Sequence, residues 1–242
     1  MFPTVSTLGR AVLVSAVVGV GVLTPTIASA QETSAACVSG SLDNCYTKSD
    51  MREFLDVAVQ LVEGYFDELA AEGRPYPDPA AVVYIPTGQT AFTDCSDTVF
   101  DDTAYAYCPT DDTVFIGQET LWQFYSEFGA AAPIMGLAHE YGHALQDAVG
   151  VPEPRTSNGI IKLEDQADCI AGSWASYIDD QGYLERVKDL TNIGQLLVAI
   201  GEMESADQTH GTPGERVASF TLGFAGGLEA CNVFFPTASL TG

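Results

Sequence analysis

Basic residues are scarce in this chain: nine lysines and arginines stand against 33 aspartates and glutamates. A surface so acidic repels phosphate backbones and anionic headgroups, which disfavours nucleic-acid partners and binding to a membrane surface. Histidine is scarcer still, at three, so chemistry that needs imidazole must draw on His139, His143 or His210. No CxxC pair occurs among the six cysteines, and that removes the usual spacing of a zinc-thiolate site. The longest apolar run, "AVLVSAVVGVGVL", has 13 residues and stops at Thr24 and Pro25, short of the roughly 20 that a spanning helix needs. Repeat periods, heptads and low-complexity tracts are also lacking, which excludes solenoids and coiled coils.

What is present begins with a leader. Arg10, the apolar run Ala11 to Leu23 and the small residues "ASA" at 28–30 form the pattern of a secretory signal peptide, with cleavage expected after Ala30 and no membrane attachment of the mature chain. The chain is therefore expected to be secreted or extracytoplasmic. With Arg10 removed, eight cations face 33 carboxylates, a formal charge of −25, which suits solubility outside the cell. Residues 31–48 read as a polar N-terminal extension and 49–242 as one domain, long enough to bury a sizeable core.

The even number of cysteines fits an oxidising compartment and up to three disulfides, with fifteen pairings open. Nearness suggests Cys37 with Cys45 and Cys95 with Cys108, leaving Cys169 for Cys231.

Periodicity organises the rest. A helix is expected from Asp50, capped by Asp50 with Glu53, striped by Phe54, Ala58, Leu61, Val62, Tyr65 and Leu69, and stopped by Gly73. "AVVYIP" and "TVFIG" (113–117) read as strands, the latter either an edge against which a peptide could lie or an ordinary paired strand. Between them "TDCSDTVFDDTAYAYCPTDD" reads as an irregular loop. Its aspartates raise calcium as a second metal, but they lack EF-hand spacing, and solvated turns are the competing reading. Helices are expected at 118–128, 132–149, 160–181, 183 to about 203, and 213–226, with Trp122 and Trp174 in the core. The fold class is α+β: one predominantly helical, disulfide-stapled domain with a small N-terminal sheet.

The chemistry concentrates in "LAHEYGHALQ" (137–146). His139 and His143 lie one helical turn apart on one face, so two imidazoles can reach one ion, while Glu140 is rotated off that face and can address a water instead. Random placement of three histidines and fifteen glutamates gives about 0.002 expected HExxH matches, so the spacing carries weight. A catalytic zinc wants a third ligand. His210 is one candidate; the other is a carboxylate of "EDQAD" (164–168), where Glu164 and Asp168 share a helix face, so that one can coordinate and the other can accept a hydrogen bond from a ligand imidazole.

HExxH followed by ExxxD resembles the gluzincin metalloproteases. More narrowly, "AHEYGHALQ", "EDQADCIAGSWA" and "THGTPGERVASFTLGF…C", in this order, resemble the bacterial neutral zinc metallopeptidase family from about Thr113 to Cys231. The resemblance implies a zincin-like fold and one zinc, with His139, His143 and Glu164 as ligands, Glu140 as general base and Asp168 behind a ligand histidine. The family often carries an aliphatic residue at Tyr141 and a leucine at Asp165; neither position coordinates in this reading. His210 precedes a helix start built from Thr212, Pro213 and Glu215, where it could donate to an oxyanion or serve only as a turn residue. Arg216 could share that role or pair with an acidic neighbour. Gly142 suggests close packing against the histidine helix.

The expected function is a secreted zinc-dependent metallopeptidase acting on peptides or proteins. The alternative is a catalytically inactive zinc-bound module that binds a peptide or protein, in which His210 would close the metal site as a fourth ligand.

Overall fold

In a computed structural model of the protein, residues 42–242 are described, apart from 78, 96–98 and 202–209. The leader and most of the 31–48 extension, including Cys37 and its expected bridge to Cys45, lie outside the described residues.

The first long helix, α1 (Met51–Ala71), buries Phe54, Ala58, Val62, Tyr65 and Leu69 as its stripe predicts, together with Met51, Leu55 and Phe66. Each buried Val, Leu, Met or Phe among them contributes about 1.5–3 kcal/mol to the core. Gly73, at φ +80°, closes the helix. The expected cap differs: Asp50 turns its carboxylate back to accept from the N–H and hydroxyl of Thr47 across a single 3-10 turn, Lys48–Asp50, so it is spent one turn before α1 begins.

Two strands appear where expected, β1 (Ala81–Ile85) and β5 (Thr113–Gly117). They pair in parallel, Val83 opposite Phe115. The segment between them is less irregular than its composition suggests. It forms a two-stranded ribbon of β2 (Thr90–Ala91) and β3 (Phe100–Asp101), then β4 (Tyr105–Cys108), which pairs antiparallel with β5. The sheet order is β1-β5-β4. "TVFIG" is thus the fully buried central strand and not an edge; the edge role passes to β4. Alternating tyrosines in "TAYAYC" carry that signal, but four residues beside turn-forming aspartates are too few to stand out.

Those aspartates cap turns. Asp101 accepts from the Thr103 N–H, Asp111 from the Asp94 N–H, and Asp112 from the Tyr107 hydroxyl. Among the described residues they form no group of three that could hold a metal ion. Cys95 and Cys108 are bridged as expected.

Five helices come after the sheet: α2 (Gln118–Phe128), α3 (Ala131–Ala148), α4 (Ser157–Asp180), α5 (Arg186–Ile200) and α6 (Pro213–Ala230). Helix α4 starts three residues earlier than the periodicity indicates, because Thr156 accepts the Gly159 N–H as its cap. Gly227, at φ +65°, breaks α6 after the span expected to be helical. The capping box of Thr212 and Glu215 forms as predicted. Trp174 is fully buried and donates its indole N–H to the Leu61 carbonyl.

Two close approaches fix the helices around α4. A Cβ on Gly142 of α3 would meet the Cα of Ala167 at 3.2 Å, so glycine there lets α3 and α4 nearly touch. Across α4 and α6, a Cβ on Gly172 would lie 2.0 Å from the Phe220 carbonyl oxygen and one on Gly223 would lie 1.7 Å from that of Cys169. The Cys169–Cys231 disulfide pins α4 to the end of α6. Mostly helical, with a small mixed sheet and two described disulfides, the architecture is the α+β pattern expected. No helix among the described residues is long and apolar enough to cross a membrane.

Candidate metal centre

The two histidines of α3 present their rings edge to face, centroids 4.7 Å apart. Helix α4 brings Glu164 against them. The His139 Nε2 stands 3.1 Å from Glu164 Oε2, the His143 Nε2 stands 3.4 Å from Glu164 Oε1, and the two Nε2 atoms are 3.1 Å apart. These three residues are the one group among the described residues that could hold a metal ion. A tetrahedral ion with bonds of about 2.0–2.1 Å separates its ligand atoms by about 3.3–3.4 Å; the three separations here, 3.1, 3.1 and 3.4 Å, lie within about 0.3 Å of that.

The outer nitrogens explain why the inner ones can bind. His139 Nδ1 donates to Asp168 Oδ1 at 2.8 Å. His143 Nδ1 donates to Gln146 Oε1 at 2.8 Å, and the Gln146 amide is itself oriented by donating to the Leu163 carbonyl. With both Nδ1 atoms protonated, a neutral ring leaves Nε2 as a bare lone pair. Two such lone pairs and a carboxylate converging at contact distance repel one another unless a cation or a proton lies between them, so the donor set fits zinc. Asp168 is fully buried and held in turn by Arg216, whose Nε and terminal nitrogen both donate to it at 2.8 Å. Arg216 therefore pairs with the acidic neighbour. Gln146, three positions after His143 on the same face, escaped the reading of the sequence, although the spacing used for the histidines would have reached it.

Without a cation the site holds protons. Burial pushes the His139 ring down, but Asp168 and Glu164 outweigh it and raise its pKa to about 10. His143 is raised by Glu164 against the same effect of burial. Glu164, despite its burial, is held well below the usual carboxylate range by His143 and His139. Burial likewise works against the Asp168 anion, and Arg216 and His139 overcome it.

Glu140 belongs to none of the converging pairs. It is 7% exposed, accepts the main-chain N–H of Tyr107 at 2.8 Å, and has its pKa raised by burial first, against the pull of the two histidines. A carboxylate so placed has an affinity for protons higher than usual while facing the cleft beside the ligands. That cleft, about 430 Å³, is lined on one side by β4 and contains His139, Glu140, His143, Glu164, His210 and Arg216. His210 is exposed there and is not in the converging group. The structure thus gathers into one cleft every residue the sequence singled out for chemistry except Asp168, which lies behind it.

The family profile described as "Putative neutral zinc metallopeptidase" matches residues 6–234. The chain belongs to that family. The match is wider than the span from Thr113 to Cys231 that carries the motifs, reaching across the first hundred residues. Two relatives are uncharacterized proteins: YpfJ of Escherichia coli K12, 32% identical over 154 residues, and Rv2575 of Mycobacterium tuberculosis H37Rv, 31% identical over 159 residues. The first alignment covers 53% of this chain and 53% of the relative, the second 53% and 54%, so the chain spans about half the length of the curated relatives it matches. No solved structure matches it. A His139, His143 and Glu164 group that could hold a metal ion agrees with a zinc peptidase family.

Proposed function

We propose that the protein is a secreted, zincin-like zinc peptidase that hydrolyses peptide bonds with Glu140 as general base. The observation that carries this reading is Glu140 itself: a buried carboxylate beside a three-ligand cation site, raised in proton affinity and not used as a ligand. A site built only to hold metal has no use for it and wants a fourth protein ligand. His210 does not join the converging group.

His139, His143 and Glu164 would hold the ion, which when bound supplies Lewis acidity to a water and to the substrate carbonyl. Glu140 takes the proton of the attacking water and passes it to the departing amine. Tyr107 N–H keeps the Glu140 carboxylate aimed into the cleft. His210, which lines the cleft just before α6, would donate to the developing oxyanion. Asp168 and Arg216 hold the His139 ring in the tautomer that exposes Nε2.

A peptide substrate is favoured by β4. Tyr107 sends its N–H to Glu140, away from β5, so the main-chain groups of Tyr105 and the carbonyl of Tyr107 face away from β5 at the cleft, with no main-chain partner among the described residues, an edge along which an extended chain can pair. Secretion is supported by the disulfides Cys95–Cys108 and Cys169–Cys231, which persist in oxidising compartments.

The test is zinc content and peptide hydrolysis of the wild type and Glu140→Gln. The expected result is equal zinc and a loss in kcat of about 10²- to 10⁴-fold. Equal, negligible hydrolysis by both proteins would instead mark a zinc-bound binding module.

A further inference from the structure

Helix α4 supplies a metal ligand in Glu164 and, in Asp168, the carboxylate behind His139. Between them stands Gln166, fully buried and turned off their shared face, since residues two apart on a helix point about 200° apart. A buried amide is costly unless its donors and its acceptor are answered. Gln166 Nε2 donates to the Cys231 carbonyl at 3.1 Å, and Gln166 Oε1 accepts from Gln146 Nε2, also at 3.1 Å. Gln146, buried as well, donates to the Leu163 carbonyl at 2.8 Å, and its Oε1 takes the His143 Nδ1–H at 2.8 Å. A continuous run of uncharged side chains therefore leads from the end of α6 to a ligand imidazole.

The direction of this run is fixed at its ends. A main-chain carbonyl can only accept, so Leu163 and Cys231 each require the nitrogen of the amide that faces them. Gln146 and Gln166 must then present oxygen on their other sides, and the oxygen of Gln146 meets His143. A ring with its lone pair on Nδ1 would set two acceptors 2.8 Å apart; only Nδ1–H fits, and it leaves Nε2 for the cation. With the Leu163 carbonyl as sole acceptor, the Gln146 amide could swing about one hydrogen bond. The second acceptor, on Gln166, fixes the plane of that amide.

The two ligand rings are thus backed differently. His139 leans on a carboxylate answered by Arg216, and His143 on two amides without charge. Arg216 with a divalent cation balances the carboxylates of Glu140, Glu164 and Asp168, so an acid in place of Gln146 would leave one buried charge unanswered. Cys231, whose carbonyl anchors the far end, is bridged to Cys169 of α4, the helix that carries both Glu164 and Gln166. We propose that Gln166 is a positioning residue for the zinc ligand His143: acting through Gln146, it holds the ring with Nδ1 protonated, from an anchor at the Cys231 carbonyl. The inference rests on the zinc site of the peptidase reading above, and not on hydrolysis.

Zinc affinity, read by chelator competition, is compared for the wild type, Gln146→Met, Gln166→Met and the double variant, with circular dichroism confirming the fold of each. Methionine keeps the length of glutamine and removes its hydrogen bonds. Gln146→Met is expected to weaken binding by about 10- to 100-fold and Gln166→Met by about tenfold. Because Gln166 acts through Gln146, the double variant should match Gln146→Met to within about twofold. A Gln166 that only braces the helices would lower the thermal midpoint of Gln166→Met and leave its zinc affinity at the wild-type value; that result, or losses that multiply in the double variant, overturns the inference and spares the zinc site. If Gln166→Met does not fold, NMR of the zinc-loaded wild type decides. The His143 Nδ1–H and the side-chain amide protons of Gln146 and Gln166 are expected to exchange slowly with solvent, and a His143 ring that lacks the Nδ1 proton, or a freely exchanging Gln166 amide, overturns the inference. Zinc bound without peptide hydrolysis removes the peptidase reading alone, whereas a wild type that binds no zinc removes both.

Discussion

Around His139 a single buried chain of charge-assisted contacts runs from Arg216 through Asp168 to the imidazole. Each member is costly to bury alone and tolerable only because the next one answers it. Removing the anion with Asp168→Asn is therefore expected to weaken zinc binding by about 10- to 100-fold, read by chelator competition, while leaving the three ligands in place. Arg216→Lys should fall between it and the wild type, because an ammonium keeps the charge but cannot match both carboxylate oxygens.

Proton competition at the same atoms gives a sign. The His139 pKa, raised from its ordinary 6.5 to about 10 in the metal-free protein, means that at pH 7 to 8 zinc must displace a proton. Calorimetry in two buffers of different ionisation enthalpy is expected to show at least one proton released per ion. Apparent affinity should then rise roughly tenfold per pH unit over that interval; a pH-independent affinity contradicts the assignment. In the metal-free protein the stabilising contribution of the charged His139 is complete below about pH 6.5 and is lost as the pH climbs through about 10.

At the scale of elements, the site depends on how closely α3, α4 and α6 approach. Gly223 has no room for a methyl group, with the Cys169 carbonyl oxygen 1.7 Å from where its Cβ would lie, whereas Gly194 in α5 has nothing within 4 Å. Gly223→Ala must push α6 away from α4 and is expected to cost about 1–3 kcal/mol in chemical denaturation. It should also weaken zinc binding, since Arg216 and Asp168 face each other across the same contact. Gly194→Ala, by contrast, is expected to stabilise by about 0.5–1 kcal/mol and leave zinc affinity unchanged. Legibility differed sharply between such elements. Helical periodicity puts His139 with His143 and Glu164 with Asp168 on shared faces, and the family likeness then singled out Glu164, which the structure brings to the two histidines. Gly172 and Gly223 went unread because a helical glycine says only that something comes close, never what.

Across the whole molecule, stability leans on a cross-link as well as on the core. The Cys169–Cys231 disulfide spans 62 residues and ties α4 to the end of α6; a loop of that length restricts the unfolded chain by about 4 kcal/mol. A Cys169→Ser/Cys231→Ser double variant is expected to lose about 2–4 kcal/mol by guanidinium unfolding. An unchanged midpoint would mean that packing of the glycine-lined helices suffices by itself. The acidic surface adds a global term: self-repulsion of 33 carboxylates against nine cations is screened by salt.

What the sequence determined by itself was local and periodic: the helices, the two principal strands, the caps at Thr212 and Gly73, and which residues can meet on one helix face. Proposing Glu164 as third ligand and Asp168 as its neighbour required only turns of 3.6 residues and the family likeness. Tertiary structure decided what periodicity cannot see. It placed β4 at the sheet edge and "TVFIG" in the middle, turned Tyr107 N–H to Glu140, and paired Arg216 with Asp168. Those outcomes depend on contacts between residues tens of positions apart, where chain spacing carries no geometric information and packing alone settles which surfaces meet.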